Sequence, residues 1–165
     1  MTDKFKVFDT EKIITRYEGL KLIYEEKEKQ IERIIQEQYT LLLRTIDKLK
    51  PELEWLKQRD YYFIHPGFDN YKSRKGPILR VSEDARYMYV YDVKQAELVK
   101  LDIHDDFKGY PASAHEVVGN DYFMHSMEGL LYTRELLNEY NNRINAILVN
   151  LEDQLKNYND IINNL

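Results

Sequence analysis

Apolar residues recur along the last stretch of the chain in alternating steps of three and four. From Met127 the series runs through Leu130, Arg134, Leu137, Asn141, Ile144, Leu148, Leu151, Leu155, Tyr158 and Ile162 to Leu165, and ten of its twelve positions are apolar. Such spacing keeps one narrow stripe facing a neighbour as a helix winds, so it predicts a long helix with a coiled-coil seam at Leu137, Asn141, Ile144, Leu148, Leu151 and Leu155. Asn141 is the kind of polar seam residue that fixes register at some cost in stability. Asparagines crowd residues 138–164 and compete for backbone hydrogen bonds, so the order of this helix must come from packing.

A second stripe occupies the first third of the chain. Ile13, Tyr17, Leu20, Tyr24, Lys27, Ile31 and Ile34 keep the same alternation, which then slips by one residue and resumes at Ile35, Tyr39, Leu42, Ile46, Leu49, Leu53 and Leu56. We read the slip as a change of winding inside one helix. Asp9 and Thr10 are placed to cap that helix, Pro51 predicts a kink near residues 47–50, and the end falls around Arg59. Leu42, Ile46 and Leu49 form its seam.

Between the stripes the period drops to two. Residues 61–65, 78–82, 86–93 and 98–103 read as β-prone runs, with turn-like residues at 83–85 and 94–97. Tyr87, Tyr89 and Tyr91 share one face of the middle strand, and Met88 and Val90 share the other. Ser113 and Glu116 have capping-box spacing, Gly119 breaks the short turn that follows, and Asn120 or Asp121 caps the last helix.

These elements predict an α+β fold, mainly α. Two long antiparallel helices form a coiled-coil hairpin, and a small antiparallel β-meander is inserted between them. One domain covers residues 1–165, with helix one over 10–59, a Tyr-rich β head over 60–112, and a capped turn and second long helix over 113–165. The order long helix, β insert, long helix is similar in outline to that of prefoldin-type chaperone subunits. Ile14, Leu22, Ile23, Leu41 and Leu43 in the first helix and Leu131, Leu136, Ile147 and Ile161 in the last lie off the main stripes, more apolar surface than one seam can hide, and predict that hairpins pair into a homodimer.

Composition narrows the function. The 29 acidic and 24 basic residues are interleaved and leave a net charge of −5, which argues against a broad basic grip on nucleic acid. The chain has no cysteine, which removes disulfides and thiolate chemistry. Residues 1–8 lack the apolar run of a secretory signal, and no stretch reaches the ~18 apolar residues of a membrane span. The expected setting is the cytoplasm, with no membrane partner.

Candidate chemistry is sparse. His65, His104, His115 and His125, with Asp102, Asp105, Asp106 and Glu116, supply metal-ligating types without a metal-site spacing. Serines lack a nucleophile elbow and glycines a phosphate loop, so no catalytic residue, metal or cofactor is assigned. Tyr71, Lys72, Arg74 and Lys75 form the best candidate for a partner-binding loop, with Tyr87, Tyr89 and Tyr91 as stacking faces. The competing reading is an ordinary polar loop, with the tyrosine face packed on helix one. The expected function is a non-enzymatic protein–protein interaction module, a stalk and a binding head such as a small inhibitor or adaptor of a mobile element would use. A nucleic-acid-binding module using the Tyr, Lys and Arg side chains of the head is the second expectation. A metal-dependent enzyme around His104 is the third.

Overall fold

The structure, a computed structural model, describes residues 10–165. The predicted cap at Asp9 and residues 1–8, read as lacking a secretory signal, lie outside them. Helix α1 spans Thr10–Gln58 and is helical on both sides of Pro51. Six short strands follow: β1 (Phe63–His65), β2 (Phe68–Ser73), β3 (Ile78–Val81), β4 (Tyr87–Asp92), β5 (Glu97–Asp102) and β6 (Lys108–Pro111). Helix α2 (Ala114–Val118) and helix α3 (Tyr122–Asn163) complete the chain.

The head is two antiparallel sheets. Strands β1 and β2 form a hairpin, and β3-β4-β5-β6 form a four-stranded meander in sequence order. Tyr87 pairs with Asp102, Tyr89 with Lys100 and Tyr91 with Leu98, which fixes the alternation of faces. Ala85 and Ala96, both at φ 57°, close the two predicted turns. Two strands lie beyond the sequence reading. β2 is mostly exposed and polar, and β6 is wholly exposed and carries a glycine and a proline, so neither shows the apolar alternation by which strands are read.

The alternation sorts two buried layers. Tyr89, Tyr91, Leu98 and Leu79 join Leu42, Ile46, Leu49, Leu53 and Leu56 of α1 and Leu130 and Leu136 of α3 in the main core. Met88, Val90, Val99 and Leu101 form a second layer on the other face, covered in part by Phe68 and Tyr71 of the β1–β2 hairpin. Each fully buried leucine of α1 contributes about 1.5–3 kcal/mol. Helix α3 approaches β3 closely at Gly129, where an added Cβ would collide with the Ile78 carbonyl oxygen. The predicted capping box is present, with the Glu116 amide donating to Ser113 and the Ser113 amide to the Glu116 carboxylate. Asp121 stands at the N-cap of α3 but makes no side-chain capping bond there.

The main correction concerns direction. Glu32 meets His115 at 3.3 Å, Glu52 meets Arg134 at 3.1 Å, and the Tyr62 carbonyl accepts from the Tyr140 hydroxyl at 3.0 Å. Partner numbers rise together, at separations of 83, 82 and 78 residues. Antiparallel helices would make one number fall as the other rose. The contacts set the second half of α1 and the first half of α3 side by side in the same direction, and the antiparallel hairpin expected from the sequence is not shown. The strands carry the chain back along α1 and deliver α2 beside Glu32, so α3 sets out again the way α1 went.

The overlap is partial. Only the second half of α1 and the first half of α3 contribute buried residues. Leu42, Ile46 and Leu49 are in the core and Leu137 is packed against it. Asn141, Ile144, Leu148, Leu151 and Leu155 are exposed, so they are not the intramolecular seam that the stripe predicted. They lie beyond the end of α1, with no other element among the described residues opposite them.

Candidate functional site

Two helical arms dominate the surface. The first is residues 10–34 of α1, where every residue is exposed except the half-buried Ile13. The second is residues 141–163 of α3, exposed throughout. Their apolar stripes were legible in the sequence, and the structure leaves both uncovered: Tyr17, Leu20, Ile31 on one arm and Leu148, Leu151, Leu155 on the other all stand open to water. Isolated helices of such length gain little from intrinsic propensity in water, least of all one rich in asparagine.

A second surface sits at the C-terminal end of α1. Trp55 stacks on Tyr61 at 5.8 Å between ring centres, and Tyr61 stacks on Tyr140 at 4.8 Å. The Arg59 guanidinium lies 4.0 Å above the Trp55 ring, and that of Arg74 lies 4.6 Å from the Tyr62 ring. Arg74 also donates to the Tyr62 hydroxyl at 2.6 Å, while Lys57 donates to the Arg74 carbonyl at 2.8 Å. Lys72 completes the group at 5.6 Å from Tyr62. The result is a ledge of exposed aromatic edges and cations, with Trp55 40% exposed. The sequence reading found Lys72 and Arg74 but missed Trp55, Arg59 and Tyr62, which become neighbours only when the end of α1 folds against β2.

The predicted site divides on this geometry. Tyr71 and Lys72 are strand residues in β2, not loop residues. Tyr71 is half-buried beside the second layer, and Lys75 lies apart from the ledge, next to Gly109. Tyr89 and Tyr91 are buried, and burial pushes both hydroxyls above their usual pKa. Neither has a face free for stacking. Tyr87 is half-buried and flanked by Arg86 and Lys100, each about 5.2 Å away. The tyrosine face serves the core, and Arg80, wedged between the rings of Tyr89 and Tyr122, donates to the Glu116 carbonyl of α2.

The histidines do separate jobs. His65 is fully buried, where its Nδ1 accepts from the Gly67 amide at 2.9 Å and Nε2 faces the His125 carbonyl at 2.7 Å. These partners assign the neutral tautomer with the proton on Nε2. Desolvation holds its pKa below the ordinary value, so the ring ties the β1–β2 hairpin to α3 as an uncharged bridge. His104 lies exposed after β5, its amide donating to Asp102, whose carboxylate is also held by Arg86. Among the described residues no three His, Asp or Glu side chains gather as metal ligands.

No protein-family model, curated protein or solved structure matches this chain. Its surfaces must therefore be read from their own chemistry. The grooves of the head are shallow, such as one of about 380 Å³ lined by Arg80, Tyr122 and His125 among others. Among the described residues no helix is long and apolar enough to cross a membrane.

Proposed function

We propose that this chain is a non-enzymatic interaction module that self-associates through its helical arms and offers its head to a protein partner. The observation that carries the reading is the pair of arms, each with a coiled-coil stripe that no element among the described residues covers. Coiled-coil stripes gain their stability from burial against a second helix, so the arms call for helices from another chain. Sedimentation velocity tests this: we expect monomer in the nanomolar range and larger species by tens of micromolar. Monomer throughout would contradict it.

The ledge supports a second reading, in which the head holds a single-stranded nucleic acid. Trp55 and Tyr62 offer partly open rings, and Lys57, Arg59, Lys72 and Arg74 offer charge for phosphates. Trp55 is the sole tryptophan, so its fluorescence reports the ledge directly. Titration with an oligonucleotide should quench it, with an affinity that falls as salt rises. An acidic peptide that quenches Trp55 where the oligonucleotide does not decides for the protein partner instead.

A further inference from the structure

We infer that the occupant of each arm is the other arm of a second copy, joined head to tail. The inference rests on the self-association proposed above and specifies how it happens: residues 141–165 of one copy pack in parallel along residues 10–34 of the next.

Three features argue for this pairing over like-with-like contacts. The first is phase. From Ile13 to Ile34 and from Ile144 to Leu165 the stripes follow the same steps of four and three over the same length. Placed side by side in parallel, Ile13 meets Ile144, Ile31 meets Ile162, and every layer between is filled. The second is the treatment of the polar layer. Lys27 is the one polar residue in the stripe of the first arm, and this register sets it beside Tyr158, where an ammonium can lie on a ring. The flanking positions then oppose Arg16 to Glu152. Parallel pairing of the first arm with itself would instead face Lys27 with Lys27.

The third feature is continuity with the contact already made inside each chain. The stripe on α3 runs straight on from Met127, Leu130, Arg134 and Leu137, where Arg134 is paired with Glu52 of α1. A second copy would extend that same-direction packing beyond the end of α1. The slip at Ile34 and Ile35 turns the stripe of the first arm by about 100° from the buried stripe, because one residue is that fraction of a helical turn. The incoming arm therefore approaches from a side that the copy's own head does not fill. A contact between two different surfaces does not close on itself by a two-fold axis, so this one repeats into an open chain of copies. Heads would recur at about the length of α1, roughly 73 Å at ~1.5 Å per residue.

The absence of cysteine makes the register testable in the full chain. In the parallel register Leu20 faces Leu151, whereas a closed antiparallel dimer would bring Ile31 to Leu151. These positions are exposed in the single copy, so the substitutions leave its fold intact. Under mild oxidation Leu20→Cys combined with Leu151→Cys should give a ladder of disulfide-linked species beyond the dimer. Ile31→Cys combined with Leu151→Cys should give none. Cross-linking by the second pair in place of the first, or unmodified protein that associates but stops at the dimer at every concentration, overturns the head-to-tail register while leaving self-association standing. Leu20→Asp and Leu151→Asp should each be monomeric, and their mixture should form a heterodimer and nothing larger. A Leu20→Asp protein that still dimerises alone would show that the second arm pairs with itself, and would also overturn the inference.

Discussion

The same two helices meet opposite fates along their length. In the second half of α1, Leu42, Ile46, Leu49, Leu53 and Leu56 lie against the tyrosine face of the sheet and the first half of α3. In the first half, an apolar stripe of equal regularity lies in water. The heptad pattern is thus no guide to whether a stripe is satisfied inside its own chain. What decides is where the head sits, because only the overlapped segments find cover.

The difference is sharpest in a pair of leucines. Leu53 is fully buried and Leu148 is 52% exposed. Leu53→Ala should cost about 2–5 kcal/mol, the range for emptying a packed leucine site. Leu148→Ala should cost under ~0.5 kcal/mol in dilute, monomeric protein. Chemical denaturation of both variants checks the contrast, and a large loss from Leu148→Ala at nanomolar concentration would break it.

Gly129 tests the packed half from the other side. An added methyl there collides with the Ile78 carbonyl and the ring of His65, so Gly129→Ala should destabilise by about 1–3 kcal/mol through overpacking. A thermal melt followed by circular dichroism reads the loss, and an unchanged melt would mean that α3 lies farther from β3.

The buried histidine gives the packed half a pH dependence. The fold keeps His65 neutral to lower pH than the unfolded chain does, whose ring titrates near 6.5. Below that pH the unfolded chain takes up the proton first. The stability that depends on a neutral ring is therefore complete above 6.5 and is lost as pH falls from there toward the lowered value in the fold. The slope is at most ~1.4 kcal/mol per pH unit. His65→Gln should flatten the stability profile in that window. A slope identical to that of the parent would remove His65 as its source.

The smallest effect is expected where the two regions meet. Arg134 pairs with Glu52 at 3.1 Å near the end of the overlap, but both side chains are substantially hydrated. Arg134→Ala should cost no more than ~1 kcal/mol, less at high salt. A loss above ~2 kcal/mol would show that this pair, and not the leucine core, holds the helices in register.

Much of this architecture was written in the periodicities. The two helices, their stripes, the strands carrying Tyr87 to Tyr91 and Leu98 to Leu101, both tight turns and the Ser113 capping box all follow from local patterns, and the structure contains them. The direction of α3 was not legible, because alternating steps of three and four look the same whichever way the partner runs. The extent of overlap was hidden for the same reason. One signal was present and misread: the slip between Ile34 and Ile35 marks the place where α1 stops facing water and begins to face the head, with Ile35 the first of the continued stripe to be partly buried. The ledge around Trp55 depended on contacts between distant segments. The tyrosines, by contrast, obeyed the plain rule that an alternating aromatic face beside an apolar helix becomes core.

The central claim, that α1 and α3 run in the same direction and overlap by only half, is tested most directly by an intramolecular distance. Donor and acceptor dyes placed on Leu20→Cys and Leu151→Cys, observed at single-molecule dilution so that no second copy intervenes, should show almost no energy transfer. Continuing the observed offset between the helices puts the two positions roughly 70 Å apart at ~1.5 Å of rise per residue. Transfer near completion, as for helices folded back on each other with the arms side by side at about 10 Å, would contradict it.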